Sequence, residues 1–211
     1  EQVPRLRKLP APAPTWDFLL PEEASRLVEA AEGEWRAAIL VGLRAGLRVG
    51  EIIALQWEDV DVGAGRLRVR RSRWKDTEGP PKSGKEREVP LSDDLRDALR
   101  RHRHLRGEYV FSQADGAPWT RDAANTGLWR ACRKAGLRKV GWHVLRHSFA
   151  SQLVMARRSI KEVQELLGHA DLVPTLRYAH LAPEAKRDAV RALDALARQP
   201  RPAAERADNT R

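Results

Sequence analysis

The chain has 211 residues, 42% hydrophobic and 32% charged, enough for one well-buried core with at most a small satellite layer. Its 39 Lys+Arg against 29 Asp+Glu leave a net charge of +10, and 31 of those cations are arginine, whose flat fork of donors fits phosphate. A polyanion such as nucleic acid is therefore the favoured partner class, although a GC-rich genome would write the same arginines. One cysteine, Cys132, excludes a disulfide within the chain and fits a reducing interior. No stretch nears the ~20 apolar residues of a membrane span.

Residues 1–14, with four prolines and no periodicity, read as a linker tail, and a chain that starts at Glu1 reads as cut from a longer protein. From Pro21 the spacing of Ala24, Leu27, Val28 and Ala31 predicts a helix with acids in its first turn. A more apolar helix is expected from Trp35 to Leu47. Gly46 and Gly50 then bracket Arg48, placing it where one helix ends and a short one, Glu51 to Leu55, begins. Residues 66–74 and 85–90 alternate arginine and valine as strands do, and WKDTEGPPKSGK between them is rich in turn formers; a small antiparallel sheet with an extended hairpin is expected there.

Helix resumes from Ser92 to about His104. A short strand is expected at Tyr109 to Phe111 and a helix from Thr120 to Ala135. The helix holding HVLRHSFA, residues 143–150, runs to about Met155. Ser159 and Glu162 make a capping box for the next helix, whose Ile160, Val163, Leu166 and Leu167 face the core and whose end suits Gly168 at C′. A short helix around Tyr178 precedes a longer one at 183–198, and residues 199–211 are expected to be disordered. The fold class is mainly α with a small antiparallel β-sheet, α+β.

His143, Arg146 and His147 lie at i, i+3 and i+4, neighbours on one helical face. A zinc site needs at least three protein ligands, and a guanidinium between two imidazoles disfavours a cation; no metal and no cofactor is expected. A solvated basic face fits poorly, because Val144, Leu145, Phe149, Leu153 and Val154 on the same helix call for burial. An anion pocket remains. Arg48 in GLRVGE has a bland alternative in pairing with Glu51 at i+3, His169 in LLGHA could be an ordinary helix C-cap, and Tyr178 in LRYAH could be structural. Their order and spacing carry more than each alone.

AGLRVGEI, PKSGKEREVPL, HVLRHSFA, LLGHA and LRYAH, with nine residues from His169 to Tyr178, together resemble the catalytic domain of the tyrosine recombinases, the phage-integrase and Xer-type family of site-specific DNA recombinases. The likeness covers roughly residues 15 to 185 and implies that family's catalytic-domain fold over 15–182. It implies DNA cleavage and rejoining through a 3′-phosphotyrosyl bond. Arg48 and Arg146 would clamp the phosphate and Tyr178 would attack it. Lys82 would protonate the leaving 5′-oxygen, His143 would exchange a proton with Tyr178, and His169 would donate to the phosphate. Glu51 would orient Arg48, and His147 would support the pocket from behind.

The hairpin is longer than in compact members, so Lys75, Lys82 and Lys85 all lie within reach; the match of KSGKER favours Lys82. On this likeness the family's N-terminal DNA-clamping domain is expected to be missing from this sequence, with residues 1–14 as the linker tail where its exit would be. The implied partners are double-stranded DNA and further copies of the chain, monomeric when free and tetrameric on DNA, with 183–198 docking on a neighbour through Ala185, Ala189, Ala192, Leu193 and Leu196. A cytoplasmic, nucleoid-associated place in a bacterial or phage system follows. A type IB topoisomerase would use similar residues, but that C-terminal segment argues for a recombinase. A DNA-binding regulator of the same fold is the rival from another class, and an aligned tyrosine has no use in it.

Overall fold

The computed structural model describes residues 17–75, 77–182, 190, 191 and 193. The expected linker at 1–14 and tail at 199–211 lie outside the described residues. So does the 183–198 helix apart from three positions, of which Val190 and Leu193 are exposed.

α1 (Pro21–Ala30) starts with a proline at its first position and acids in its first turn, and the Leu20 amide donates to Glu23 Oε2 at 2.9 Å. α2 (Glu34–Arg44) is buried along its whole middle, from Ala37 to Leu43, and forms the centre of the molecule. It ends three residues before the expected Leu47, because Gly46 turns the chain with φ +64. α3 (Val49–Ile53) follows at once.

β1 (Val60–Asp61), β2 (Arg66–Val69) and β5 (Arg87–Pro90) make one antiparallel sheet in the order β1-β2-β5, with Leu67 opposite Val89 and Val69 opposite Arg87. The segment between β2 and β5 forms a second small sheet instead of one long hairpin: β3 (Ser72–Trp74) pairs with β4 (Thr77–Gly79). Arg70 and Arg71 separate the two sheets, both drawn onto Glu58 and Asp59. The strand expected at Tyr109–Phe111 is reduced to a single bridge between Gln56 and Tyr109.

α4 (Asp93–His102), α5 (Arg121–Lys134), α6 (Trp142–Met155) and α7 (Ile160–Leu167) fall where the periodicity puts them. α7 has its capping box, with Glu162 N donating to Ser159 Oγ at 3.2 Å and Ser159 N to Glu162 Oε2 at 2.7 Å. α8 (Val173–Leu176) and a 3-10 turn at Ala179–Leu181 bracket Tyr178. No helix among the described residues is long and apolar enough to cross a membrane.

Two apolar clusters share α6. The larger one joins α1 to α5 and the three-stranded sheet and includes Leu145; the smaller one gathers Phe149, Ala150, Val154, Val163, Leu167 and the ring of Tyr178. Arg146 lies between Leu145 and Phe149 in sequence, and so at the seam of the two clusters.

Candidate active site

An α-helix leaves its last carbonyls without intrahelical donors, and its C-terminal end carries partial negative charge. At the end of α7 two arginines meet that need. Arg146 Nη2 donates to Leu167 O at 2.7 Å, and Arg87 Nε donates to Leu166 O at 3.0 Å. Arg146 Nη1 reaches across to Gly46 O at 2.5 Å, which ties the α2–α3 junction to the end of α7. Both glycines at these contacts are required by geometry. Gly46 and Gly168 have φ +64; a Cβ on Gly46 would overlap the Phe149 ring, and one on Gly168 would stand 2.6 Å from Arg87 Cδ.

Arg48 caps α3, and the carboxylate of Glu51 gathers its surroundings. It accepts from the Arg48 amide at 2.9 Å, from Arg48 Nη1 at 3.0 Å, and from Arg87 Nη1 and Nη2 at 3.1 and 2.7 Å. Glu51 is 1% exposed. Burial alone would raise its pKa, but the hydrogen bonds and charge of Arg87, the charge of Arg146 and the Arg48 amide bring it down to about 2. Arg48, Arg87 and Arg146 thus surround one carboxylate, and all of that carboxylate's oxygens are engaged by Arg48 and Arg87.

Among the described residues Arg146, 5% exposed, bonds only to these carbonyls. Burial, then the charge of Arg48, opposed by Glu51 and reinforced by Arg87, depresses its pKa to about 9. A buried guanidinium with that surplus of positive charge is a site for an anion.

The imidazoles lie within the same field. Burial lowers His169 to about 4, helped by Arg146, Arg48, Arg177 and Arg87, while its Nδ1 is 2.8 Å from the hydroxyl of fully buried Thr175. Burial, then Arg177, His143 and Arg146, lowers His147 to about 4. His143 is exposed and is lowered by partial desolvation, then by Arg146, Arg121, Arg48 and Lys82. Tyr178 is 3% exposed, and burial raises its pKa against the pull of Arg177 and Arg146. Its hydroxyl lies 2.5 Å from His147 Nδ1.

The fold therefore brings Arg48, Glu51, His143, Arg146, His147, His169 and Tyr178 to one place. The imidazole in contact with Tyr178 is His147, expected only to support the pocket, whereas the His143 ring makes no hydrogen bond among the described residues. Lys82 is exposed at the second position of a turn closed by Gly84 N to Pro81 O at 2.7 Å, and its charge is felt at His143. Sequence reasoning missed two residues. Arg87 had a signal, since it lies two positions from Val89 and so shares the core-facing side of β5. Thr175 had none, being a small polar residue in a helix of four residues, too short to show periodicity. Among the described residues no three His, Cys, Asp or Glu side chains gather as metal ligands.

The depressed imidazoles make the fold acid-sensitive. The unfolded chain takes up protons at His147 and His169 as pH falls through 6.5, whereas the folded chain resists until about 4, so stability is lost progressively across that window. His143 and His102 act in the same direction. Glu51 adds a second loss below 4.5, as its depressed carboxylate is protonated on the way to about 2. Thermal melts from pH 7 to 4 should show Tm falling from about 6.5, and His147→Gln should flatten that slope while leaving the arm below 4.5. A Tm independent of pH between 6.5 and 4 would contradict the burial of neutral imidazoles here.

Residues 17–185 match the phage integrase family. A tyrosine recombinase of Thermosipho africanus is 34% identical over 197 residues, covering 90% of this chain and 64% of that protein. The crystal structure of XerA recombinase superposes with a TM-score of 0.67 at 29% identity, over 88% of this chain and 66% of that one. XerH site-specific recombinase, solved bound to palindromic difH substrate as a post-cleavage complex, gives 0.65 at 25% identity, over 85% and 54%. The chain spans 44% to 64% of the length of such curated relatives.

Proposed function

The chain belongs to the phage integrase family, and we propose that residues 15–182 are the catalytic domain of a site-specific recombinase that cuts and rejoins DNA through a 3′-phosphotyrosyl intermediate. One observation carries this reading: a buried arginine with no carboxylate partner of its own among the described residues, beside a second arginine, three imidazoles and a tyrosine hydroxyl. A scissile phosphate supplies the missing anion. Arg48 and Arg146 donate to its non-bridging oxygens and favour the more highly charged transition state.

The step balances within these residues and DNA. The Tyr178 oxygen bonds to phosphorus, the bond from phosphorus to the 5′-oxygen breaks, and Lys82 gives that oxygen a proton. The Tyr178 proton passes to an imidazole: His147 holds it in the buried arrangement, and His143 is placed to take it when the hydroxyl turns to the phosphate. With Thr175 donating to His169 Nδ1, the neutral ring keeps its Nε2–H for the phosphate. Glu51 and Arg87 are positioning residues that fix Arg48 and the end of α7. The phosphotyrosyl ester conserves the bond for rejoining, so this chemistry calls for no nucleotide and no metal.

Double-stranded DNA is the partner, a reading supported by the net charge of +10 and by the DNA-bound relative. Association into a tetramer on DNA, with 183–198 reaching a neighbour, belongs to the same proposal, as does a bacterial or phage nucleoid setting. The test is a library of nicked duplexes of randomised sequence, incubated with the protein and separated under denaturing conditions. A covalent protein–DNA adduct at a restricted set of sequences is expected, and its sequencing identifies the target. A protein that binds the library yet yields no adduct would favour the regulator.

A further inference from the structure

The β3–β4 hairpin has no part in the chemistry above, yet it is seated on the catalytic machinery. A Cβ on Gly50 of α3 would stand 2.6 Å from the Arg73 carbonyl oxygen and 2.7 Å from Ser72 Oγ, so β3 lies directly against the helix that carries Glu51 and is capped by Arg48. Charge is graded along the hairpin. At its root Arg70 and Arg71 are neutralised by Glu58 and Asp59, and Arg73 stands 4.0 Å from Glu78. At its tip Lys75 takes φ +53, and neither Lys75 nor Arg121 has a carboxylate within ion-pair distance among the described residues.

Arg121, the first residue of α5, instead lays its guanidinium over the Trp74 ring, 4.9 Å from the centroid. Trp74 is 65% exposed, and Arg73, Lys75 and Arg121 share one cleft of about 230 Å³ with Val49, Gly50 and Ile53. Among the cations acting on the His143 ring, Arg121 is second only to Arg146. The exposed indole offers its face to that guanidinium. Stacking on an indole holds a guanidinium flat while leaving its in-plane N–H donors available. A cation immobilised in this way loses less side-chain freedom when it meets its anion.

We propose that Arg121, clamped on Trp74, grips a DNA backbone phosphate next to the scissile one, with Lys75 adding charge at the same tip. The clamp is a strand-positioning device built from the hairpin and α5, and it rests on the reading of the chain as a DNA recombinase.

The experiment measures equilibrium DNA binding against salt from 50 to 200 mM, about the range where counterion release is steep, for Arg121→Gln, Trp74→Ala, Trp74→Phe and the Trp74→Ala/Arg121→Gln pair. All are made in a Tyr178→Phe background, so that no covalent capture intrudes, and two duplexes of unrelated sequence are used. Loss of one phosphate contact should shallow the log–log salt slope by about 0.9 and weaken binding about fivefold near 0.15 M salt, equally on both duplexes. Trp74→Ala should match Arg121→Gln, Trp74→Phe should fall between it and the parent, and the double variant should be no worse than either single. Exposed Trp74 can be removed without opening the core, which unchanged thermal melts would verify. Parent-like binding by Trp74→Ala, losses that multiply in the double variant, or losses confined to one duplex would each overturn the clamp. Failure of the recombinase reading shows separately, as no adduct from the chain that retains Tyr178.

Discussion

Tyr178→Phe is expected to form no denaturant-resistant adduct, a loss on the order of 10⁴-fold or more, while still binding DNA and folding like the parent. The buried ring makes this a clean substitution. It packs with Phe149, Val163 and Leu167, and phenylalanine fills the same space. The hydroxyl contributes one hydrogen bond, to His147 Nδ1, so its removal costs about 1 kcal/mol and leaves an imidazole nitrogen to find water. If Tyr178 is the nucleophile proposed here, a side chain that is 3% exposed must leave this bed before it can reach phosphorus. Extracting a ring of that size costs about 2 kcal/mol, which DNA contacts must supply. The check is the nicked-duplex assay beside a thermal melt: an adduct of undiminished yield would place the nucleophile elsewhere.

The helical frame was legible because periodicity and caps are local signals: Ser159 with Glu162, Gly168 at the end of α7, and the apolar face of α1 all fall where their patterns put them. Arg48, Arg146, His169 and Tyr178 were legible as polar residues set in apolar or punctuated stretches. What holds them was not. Gly46 O and Leu167 O lie 100 and 21 residues from Arg146, and backbone carbonyls carry no residue-specific signature. The bond between His147 and Tyr178 spans 31 residues and depends on α8 packing on α7 and the following 3-10 turn packing on α6. The second sheet was hidden for another reason, since its split from the first depends on two arginines choosing carboxylates from an earlier turn.

These placements share one device. The end of α7 offers two orphan carbonyls to Arg87 and Arg146, Glu51 binds Arg87 to Arg48, and Gly46 O returns the chain to Arg146. Each arginine is fixed by groups that demand its geometry, so the surplus charge does not relax toward solvent when DNA is absent. Such preorganisation matters more to catalysis than the number of cations. The proposed general acid, Lys82, stands outside this network. It is exposed in a turn, which on the proposed mechanism leaves it free to reach a leaving group on the far side of phosphorus from Tyr178.

Lys82→Ala should therefore cut cleavage of an ordinary duplex by about 10²- to 10⁴-fold, the range of a lost general acid. A substrate with sulfur in place of the 5′-bridging oxygen supplies a leaving group that departs as thiolate and needs no proton. On that substrate Lys82→Ala should regain most of the parental rate. Arg146→Ala should lose about 10²- to 10³-fold on both substrates, because the charge that develops on the non-bridging oxygens is the same whichever atom leaves. Lys75→Ala and Lys85→Ala should show smaller losses that ignore the sulfur, as weakened binding does. Of the three lysines, Lys82 is the one whose charge ranks among the main influences on the His143 ring, and this is the structural ground for singling it out. Rescue of Lys75→Ala or Lys85→Ala instead would move the proton donor to that residue. Rescue of none would point to His143, whose exposed imidazole stands next to the same phosphate and whose substitution should then respond to sulfur as Lys82 was expected to.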